Sequence, residues 1–406
     1  MLRGRDIIIV GQQPWDTEIG SNCKDVALEF SKHNRVLYVN SPLDRISKLR
    51  YKDDPKIKRR INVIAGREPG IVQINNSLYN LYPDCLVESI NWIPFTGLFK
   101  KINWLNNKKF AASILKAIKQ LGFKDYLLFN DNEVFKAFYL KELLNPRLSA
   151  YYSRDNIVGV NYWKRHGQQL EPELIAKSDL CLANSEYLTA YCKTYNPYSF
   201  CVGQGCDFTY FNDEGLSLAP EIEPIEKPII GYVGALWTSR LDLPLLEYIA
   251  EKRPDWHFVY IGPEDEKFKN SKLHKMPNVY FLGVKKPESL ASYIKGFDVC
   301  MNPQYVNSIT IGNYPRKVDE YLALGKPTIV TKTEPMLDFK EYVFLANNES
   351  EYIEGIQKLL DTDNEELRKN RKAFALSHSW ENSVNKMSMA FEKVDGKRRA
   401  SDPDGQ

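Results

Sequence analysis

The chain has 406 residues, of which 43% are hydrophobic, 26% charged and 12% aromatic, with a formal net charge of +3. At about 150 residues per domain two or three domains are expected, and the composition excludes a disordered or low-complexity chain. No uncharged apolar run approaches the ~20 residues of a membrane-spanning helix. Ile7-Ile8-Ile9-Val10, behind Met1-Leu2-Arg3-Gly4-Arg5, is too short for a signal-peptide core, so export is not expected.

Asp6 to Gly11 reads as a buried strand ending in glycine, Asn22 to Lys32 as a helix and Arg35 to Asn40 as a second strand. Strand, helix and strand in this succession make a βαβ unit, and repeated units imply a parallel sheet. Further strands are expected at 71–75, 126–130, 149–152 and 180–184, the last followed by Asn184-Ser185, which suits a helix cap. Residues 212–228 hold five acids and three prolines, a linker composition. Pro228 to Gly234 then restarts the strand-and-glycine pattern, followed by a helix at 242–252 and strands at 256–262, 278–282, 298–302, 327–331 and 343–345. The fold class is therefore α/β, two tandem doubly wound (Rossmann-like) domains.

The seven cysteines (23, 85, 181, 192, 201, 206, 300) show no Cys-x-x-Cys spacing and the five histidines are far apart. Reduced thiols, buried as small hydrophobes in a cytoplasmic protein, are expected, and no metal site. The net charge conceals a division. Residues 1–200 hold 29 Lys and Arg against 20 Asp and Glu; residues 201–406 hold 26 against 32. Halves of opposite sign imply two domains with different partners.

Neither Gly11 nor Gly231-x-x-Gly234 opens a Gly-x-Gly-x-x-Gly fingerprint, and there is no Walker A motif, which demotes dinucleotide and P-loop chemistry. The strongest signal is Gly312-Asn-Tyr-Pro-Arg-Lys-Val-Asp-Glu-Tyr-Leu-Ala-Leu-Gly-Lys-Pro-Thr-Ile-Val-Thr331. Pro315 suits a helix start and Gly325 its end. Arg316 and Lys317 would then flank the free N–H groups of a first turn outside a parallel sheet, a setting for a diphosphate. Glu320, one turn on, can accept hydrogen bonds from vicinal hydroxyls such as those of a ribose. The plain alternative for all three is a solvated, locally paired surface.

This segment resembles the Pro-x-Lys-x-x-Glu-Tyr-x-Ala-x-Gly-Lys-Pro signature of GT-B glycosyltransferases of the family 4-like group. Ile230 to Leu236, Val279 to Val284, Leu290 to Asn302 and Ser377-His-Ser-Trp-Glu381 resemble further family segments in the same order. The resemblance implies GT-B architecture, two domains facing across a cleft: 1–210 for the acceptor, 211–228 as linker, 229–376 for a nucleotide-sugar donor, 377–395 as a helix crossing back, and 396–406 as a disordered tail. It implies a hexosyltransferase independent of metal, using a UDP- or GDP-sugar; the resemblance favours retention, with the departing phosphate taking the acceptor proton, whereas inversion would need a carboxylate base. Donor contacts implied are Gly234, Arg240, Val284, Lys285, Asn313, Arg316, Lys317 and Glu320, with Thr310 a substitute like Asn313. Gly312 departs from the family's first glutamate of Glu-x(7)-Glu, leaving the usual donor-sugar contact open.

Candidates for a catalytic base are Asp16 and Asp155, each in a loop after a strand, with a surface ion pair to Arg154 as the plain alternative for Asp155. His166 reads as a polar loop residue, and Trp15 as either a sugar-stacking or a core aromatic. Residues 100–124 carry seven lysines and no acid, Trp92-Ile-Pro-Phe95 lies upstream, and Arg45 to Arg60 holds eight cations against two acids. A glycan or lipid-linked acceptor, with peripheral contact to anionic membrane at the inner face, is expected, and no nucleic acid. Two other readings remain: a non-catalytic glycan-binding or scaffold protein on the same frame, and a nucleotide-sugar epimerase.

Overall fold

The computed structural model describes residues 1–17, 21–159, 161–213, 215–307, 310–312 and 314–401, the last three as helix backbone only. Its strands, in chain order, are β1 (Asp6–Gly11), β2 (Arg35–Val39), β3 (Leu43–Asp44), β4 (Ile71–Gln73), β5 (Leu78–Leu81), β6 (Leu86–Val87), β7 (Leu127–Asp131), β8 (Leu148–Ser153), β9 (Leu180–Ala183) and β10 (Ser199–Cys201). There follow β11 (Ile229–Val233), β12 (His257–Ile261), β13 (Val279–Phe281), β14 (Val299–Asn302), β15 (Thr328–Thr331) and β16 (Phe344–Ala346). The chain divides into two compact units, Met1–Gly203 with Trp380–Gln406, and Gln204–Ser379.

The first unit is built on an eight-stranded sheet in the order β10-β9-β8-β7-β1-β2-β5-β4, parallel except at β4. Side chains alternate across a strand, so the run Ile7 to Val10 serves both faces. Ile7 and Ile9 pack with the helix Asn22–Ser31 and with Val384, Met387 and Phe391 of the last helix, Trp380–Ser401. Ile8 and Val10 pack with Phe110, Ile114 and Ala117 of the long helix Thr96–Leu121. Burial on both faces is what makes such strands continuous apolar runs.

The second unit is a six-stranded parallel sheet, β13-β12-β11-β14-β15-β16, the doubly wound order with β11 and β14 at the switch point. Gly231 in β11 is required by packing, since a β-carbon there would lie 2.0 Å from the Phe297 ring. Residues of the segment 211–228 belong to this unit's core, with Ala219, Ile222 and Ile225 buried. At the other end, the final helix continues through Ser401, and 402–406 of the expected tail lie outside the described residues. Among the described residues no helix is long and apolar enough to cross a membrane.

Candidate functional site

In the second unit three glycines turn the chain at the carboxyl ends of adjacent strands: Gly234 after β11, Gly262 after β12 and Gly283 after β13, all at positive φ. They interlock. Gly234 N–H donates to the Ile261 carbonyl (2.8 Å), Gly262 N–H donates to Gly283 (2.9 Å), and a β-carbon on Gly262 would lie 1.9 Å from the Gly234 carbonyl oxygen. Only glycine permits that approach. The loop ends therefore present backbone rather than side chains.

The helix Arg316–Ala323 begins beside this loop. Pro315 is its N-cap and makes no side-chain cap hydrogen bond, so the positive end of the helix carries no capping side chain from that residue. Tyr321 fixes the helix to the sheet: its hydroxyl accepts from Val233 N–H at 2.8 Å. Lys317 reaches back over Tyr232, with Nζ 4.2 Å from the ring centroid and a hydrogen bond to the hydroxyl. A β-carbon at Gly234 would be 2.5 Å from that ammonium. Gly234 and Lys317 thus meet at the end of β11, and Glu320 lies in the electrostatic surroundings of Lys317 and Arg316. Burial raises the Glu320 carboxyl, opposed by the charges of Arg316 and Lys317. A helix start with two cations and a carboxylate one turn on can hold a diphosphate and a diol.

The remaining candidates divide. Val284 stands exposed after β13 and Arg240 is exposed in the turn before the helix Leu243–Lys252. Lys285 is turned to Glu221, 2.6 Å away, so its charge is already neutralised. Thr310 holds its own loop, accepting from Asn307 N–H at 3.0 Å and donating to the Tyr305 carbonyl. Asn313 lies outside the described residues.

Three residues near the helix carry no obvious mark in the sequence. Asp319, fully buried, pairs with His378 at 2.8 Å, and His378 is boxed by Tyr314, Phe339 and Phe374. Burial raises the Asp319 carboxyl, and His378 counters it. Cys206, whose N–H donates to the His378 carbonyl (2.8 Å), has its thiol pushed up by burial, with Glu320 and Arg316 in its electrostatic surroundings. A helix pattern indicates which face is buried; it does not reveal which distant histidine meets that face. Lys326, by contrast, is a conspicuous motif cation with a structural place: its Nζ donates to the Lys295 and Phe297 carbonyls at 2.6 and 2.8 Å, at the end of the helix Leu290–Gly296.

In the first unit Asp16 and Asp155 occupy different surroundings. Asp16 lines a cavity of about 970 Å3 and forms a two-pronged ion pair with Arg60, both bonds 2.9 Å. Burial alone would raise its carboxyl, but Arg60 prevails and holds it below the ordinary range, which suits an anchor better than a base. Asp155 is half-exposed, is not part of that cavity wall, and pairs with Arg154 at 2.9 Å. Arg154 also pairs at 2.8 Å with Asp131, the fully buried last residue of β7, whose carboxyl burial raises. Asp131 was not a sequence candidate; the available signal was an acid closing the apolar run Leu127 to Phe129. His166 is not in a loop: it lies in the helix Asn161–Lys177, buried and stacked on Phe99 at 4.0 Å. Trp15 packs edge-on to Tyr38 at 5.1 Å, at the margin of the core.

Residues 227–362 match the family described as glycosyl transferases group 1. A Bacillus subtilis protein assigned to teichuronic acid biosynthesis as the glycosyltransferase TuaH is 26% identical over 161 residues. That alignment spans 37% of this chain and 40% of the relative's length. Among solved structures, sucrose-phosphate synthase from Thermosynechococcus elongatus is similar at TM-score 0.65 and 14% identity, covering 97% of this chain and 100% of that one. Anabaena HepE in complex with UDP gives TM-score 0.65 at 12% identity, covering 96% and 100%. The trehalose 6-phosphate synthase of Burkholderia multivorans gives 0.67 at 9%, covering 97% and 100%. At these identities the likeness speaks for the fold. The chain thus has the doubly wound GT-B fold of these structures, and its residues 227–362 match the glycosyl transferases group 1 family.

Proposed function

We propose that the protein transfers a hexose from a nucleotide sugar, UDP- or GDP-linked, to a glycan or lipid-linked acceptor in the synthesis of a surface polysaccharide. The observation that carries this reading is the start of the helix Arg316–Ala323, where the Lys317 ammonium lies against Gly234 and Glu320 follows one turn later. In this reading the diphosphate lies against the first-turn N–H groups, Arg316 and Lys317 neutralise the charge that grows on it as the sugar departs, and Glu320 accepts from the ribose hydroxyls. The chain's own cations take the place of a metal ion, and the reaction retains configuration, with the departing phosphate receiving the acceptor proton. Support for a UDP donor comes from HepE, solved with UDP and with UDP-glucose, and for a glycan-building role from the relative named for teichuronic acid biosynthesis. The acceptor would enter the first unit's cavity, whose wall includes Arg60, Trp92 and Tyr162, at the cytoplasmic side of the membrane.

Thermal shift with UDP, GDP, ADP and their sugars tests this, because a ligand that binds the folded state raises its melting temperature. A response to one uridine or guanosine series, lost in Lys317→Ala, is expected, together with transfer or slow donor hydrolysis. No response to any nucleotide in a well-folded sample contradicts the reading and favours the scaffold. An epimerised nucleotide sugar from donor alone contradicts transfer.

A further inference from the structure

Single exposed hydrophobes need no explanation, whereas contiguous ones do. In the first unit Leu49 (75% exposed), Tyr51 (59%), Trp92 (71%), Phe95 (71%), Leu98 (49%) and Leu105 (55%) stand out of the surface. Side-chain and backbone contacts join their segments. The helix Arg45–Arg50 is tied to the 88–95 loop by Arg45–Glu88 at 2.6 Å and Ile46 N–H to Ser89 Oγ at 3.1 Å. Within the loop the Trp92 indole N–H donates to the Ser89 carbonyl at 2.8 Å, and Phe95 is the N-cap of the helix Thr96–Leu121.

That helix has two sides. Phe99, Asn103, Asn106, Phe110, Ile114 and Ala117 face the protein. Opposite them, positions 98, 101, 105, 108, 115 and 119 recur at three, four or seven residues and are all exposed. They alternate leucine with lysine: Leu98, Lys101, Leu105, Lys108, Leu115, Lys119. From Trp92 to Lys124 the sequence has seven lysines and no acid; Lys100, Lys109 and Lys116 pair with Glu173, Glu88 and Asp84, Lys101, Lys108 and Lys119 lie on the outer stripe, and exposed Arg50 and Lys52 add to the charge at the helix Arg45–Arg50.

We propose that this face docks on an anionic lipid bilayer. The apolar tips of Leu49, Trp92, Phe95 and Leu98 enter the headgroup region while the lysines reach the lipid phosphates along their aliphatic stems. The chemistry selects among occupants: a second copy would set two lysine stripes without acids against each other, and nucleic acid gives no reason for exposed leucines. The proposal deepens the acceptor reading above by naming the surface on which a lipid-linked acceptor would be met.

Co-sedimentation with phosphatidylcholine vesicles, with and without phosphatidylglycerol, tests it on the full chain. Binding to the anionic vesicles and its weakening by salt are expected. Leu49→Ser/Phe95→Ser/Leu98→Ser and, separately, Lys101→Glu/Lys108→Glu should each lower partition by about tenfold or more. Both variants should keep the parent's melting curve and its response to UDP, which reads the other unit. Failure of the nucleotide response in every protein would therefore overturn the donor reading and leave the vesicle result standing. Parent protein staying in the supernatant with anionic vesicles, or partition unchanged in both variants, overturns the docking proposal. So does a dimer in sedimentation velocity that the serine variant dissolves without any vesicle binding, which would assign the face to a second copy.

Discussion

The ammonium of Lys317 rests 4.2 Å from the centre of the Tyr232 ring and donates a hydrogen bond to its hydroxyl, so a residue of β11 aims the cation that the helix Arg316–Ala323 of the same unit supplies. Lys317→Ala should weaken nucleotide binding by about 30- to 100-fold, the range of a lost charge-assisted bond. Tyr232→Phe keeps the ring under the cation and removes only the hydroxyl, for a loss of about three- to tenfold. Isothermal calorimetry with the responding nucleotide measures both, and an unaltered Kd in Lys317→Ala would remove that residue from the site.

Glu320 ties affinity to pH. Burial raises its folded-state pKa, so burying the charged form opposes folding once the pH exceeds the unfolded value of about 4.3. The stability linked to the neutral carboxyl is fully present below that value and is lost as the pH rises through the higher folded pKa. Glu320→Gln should therefore melt higher than the parent at neutral pH without ligand. The same change should weaken donor binding by about tenfold or more, because an ionised carboxylate is the better acceptor for two hydroxyls. The parent's affinity should begin to fall on acidification at a pH above that of an ordinary glutamate, and the variant's should not. Melting curves and binding isotherms across pH read both effects.

Gly262→Ala would set a β-carbon 1.9 Å from the Gly234 carbonyl oxygen at a φ of +148°. Both the clash and the backbone penalty act, so a loss of about 2 kcal/mol or more and a displaced 234 loop are expected. Denaturant melts of the variant, with nucleotide titration in the folded range, should show stability and affinity falling together.

The two acids on Arg154 separate catalysis from support. Asp155→Asn removes a half-exposed pair and should cost about 0–1 kcal/mol; a large fall in kcat with an intact melting curve would identify Asp155 as the base. Asp131→Ala leaves the deeply set Arg154 without its buried partner and should cost about 3–5 kcal/mol. A melting curve unchanged in Asp131→Ala contradicts that account.

Lys326→Met tests a motif lysine assigned here to structure. Its Nζ satisfies two carbonyls at the end of the helix Leu290–Gly296, so a loss of about 1–3 kcal/mol with undiminished nucleotide affinity in the folded protein is expected.

Much of the frame was legible before any coordinates. Ile7 to Val10 and Ile229 to Val233 are buried on both faces, and that leaves almost uninterrupted apolar runs in the sequence. Short edge strands such as β10 leave weaker traces, because three residues carry too few periods to separate from a loop. The helix start that carries Arg316, Lys317 and Glu320 was readable because a helix start sets its own local geometry. The pairing of Lys285 with Glu221 was not readable, because the two lie 64 positions apart.

The sequence by itself determined the alternation of strands and helices, the two restarts after glycine, and the diphosphate-compatible helix start, all of which depend on neighbours within about one turn or one strand. Tertiary structure alone decided which charges are spent on structure. Asp16 is neutralised by Arg60, Lys326 is absorbed by two carbonyls and Asp319 by His378, while Lys317 is held over Tyr232 beside Gly234. An ion pair costs or contributes according to distance and burial, and a charge balance of the two halves records neither. What the opposed charges of the halves did carry was the lysine stripe of the first unit, which the fold sets out on one exposed helix face.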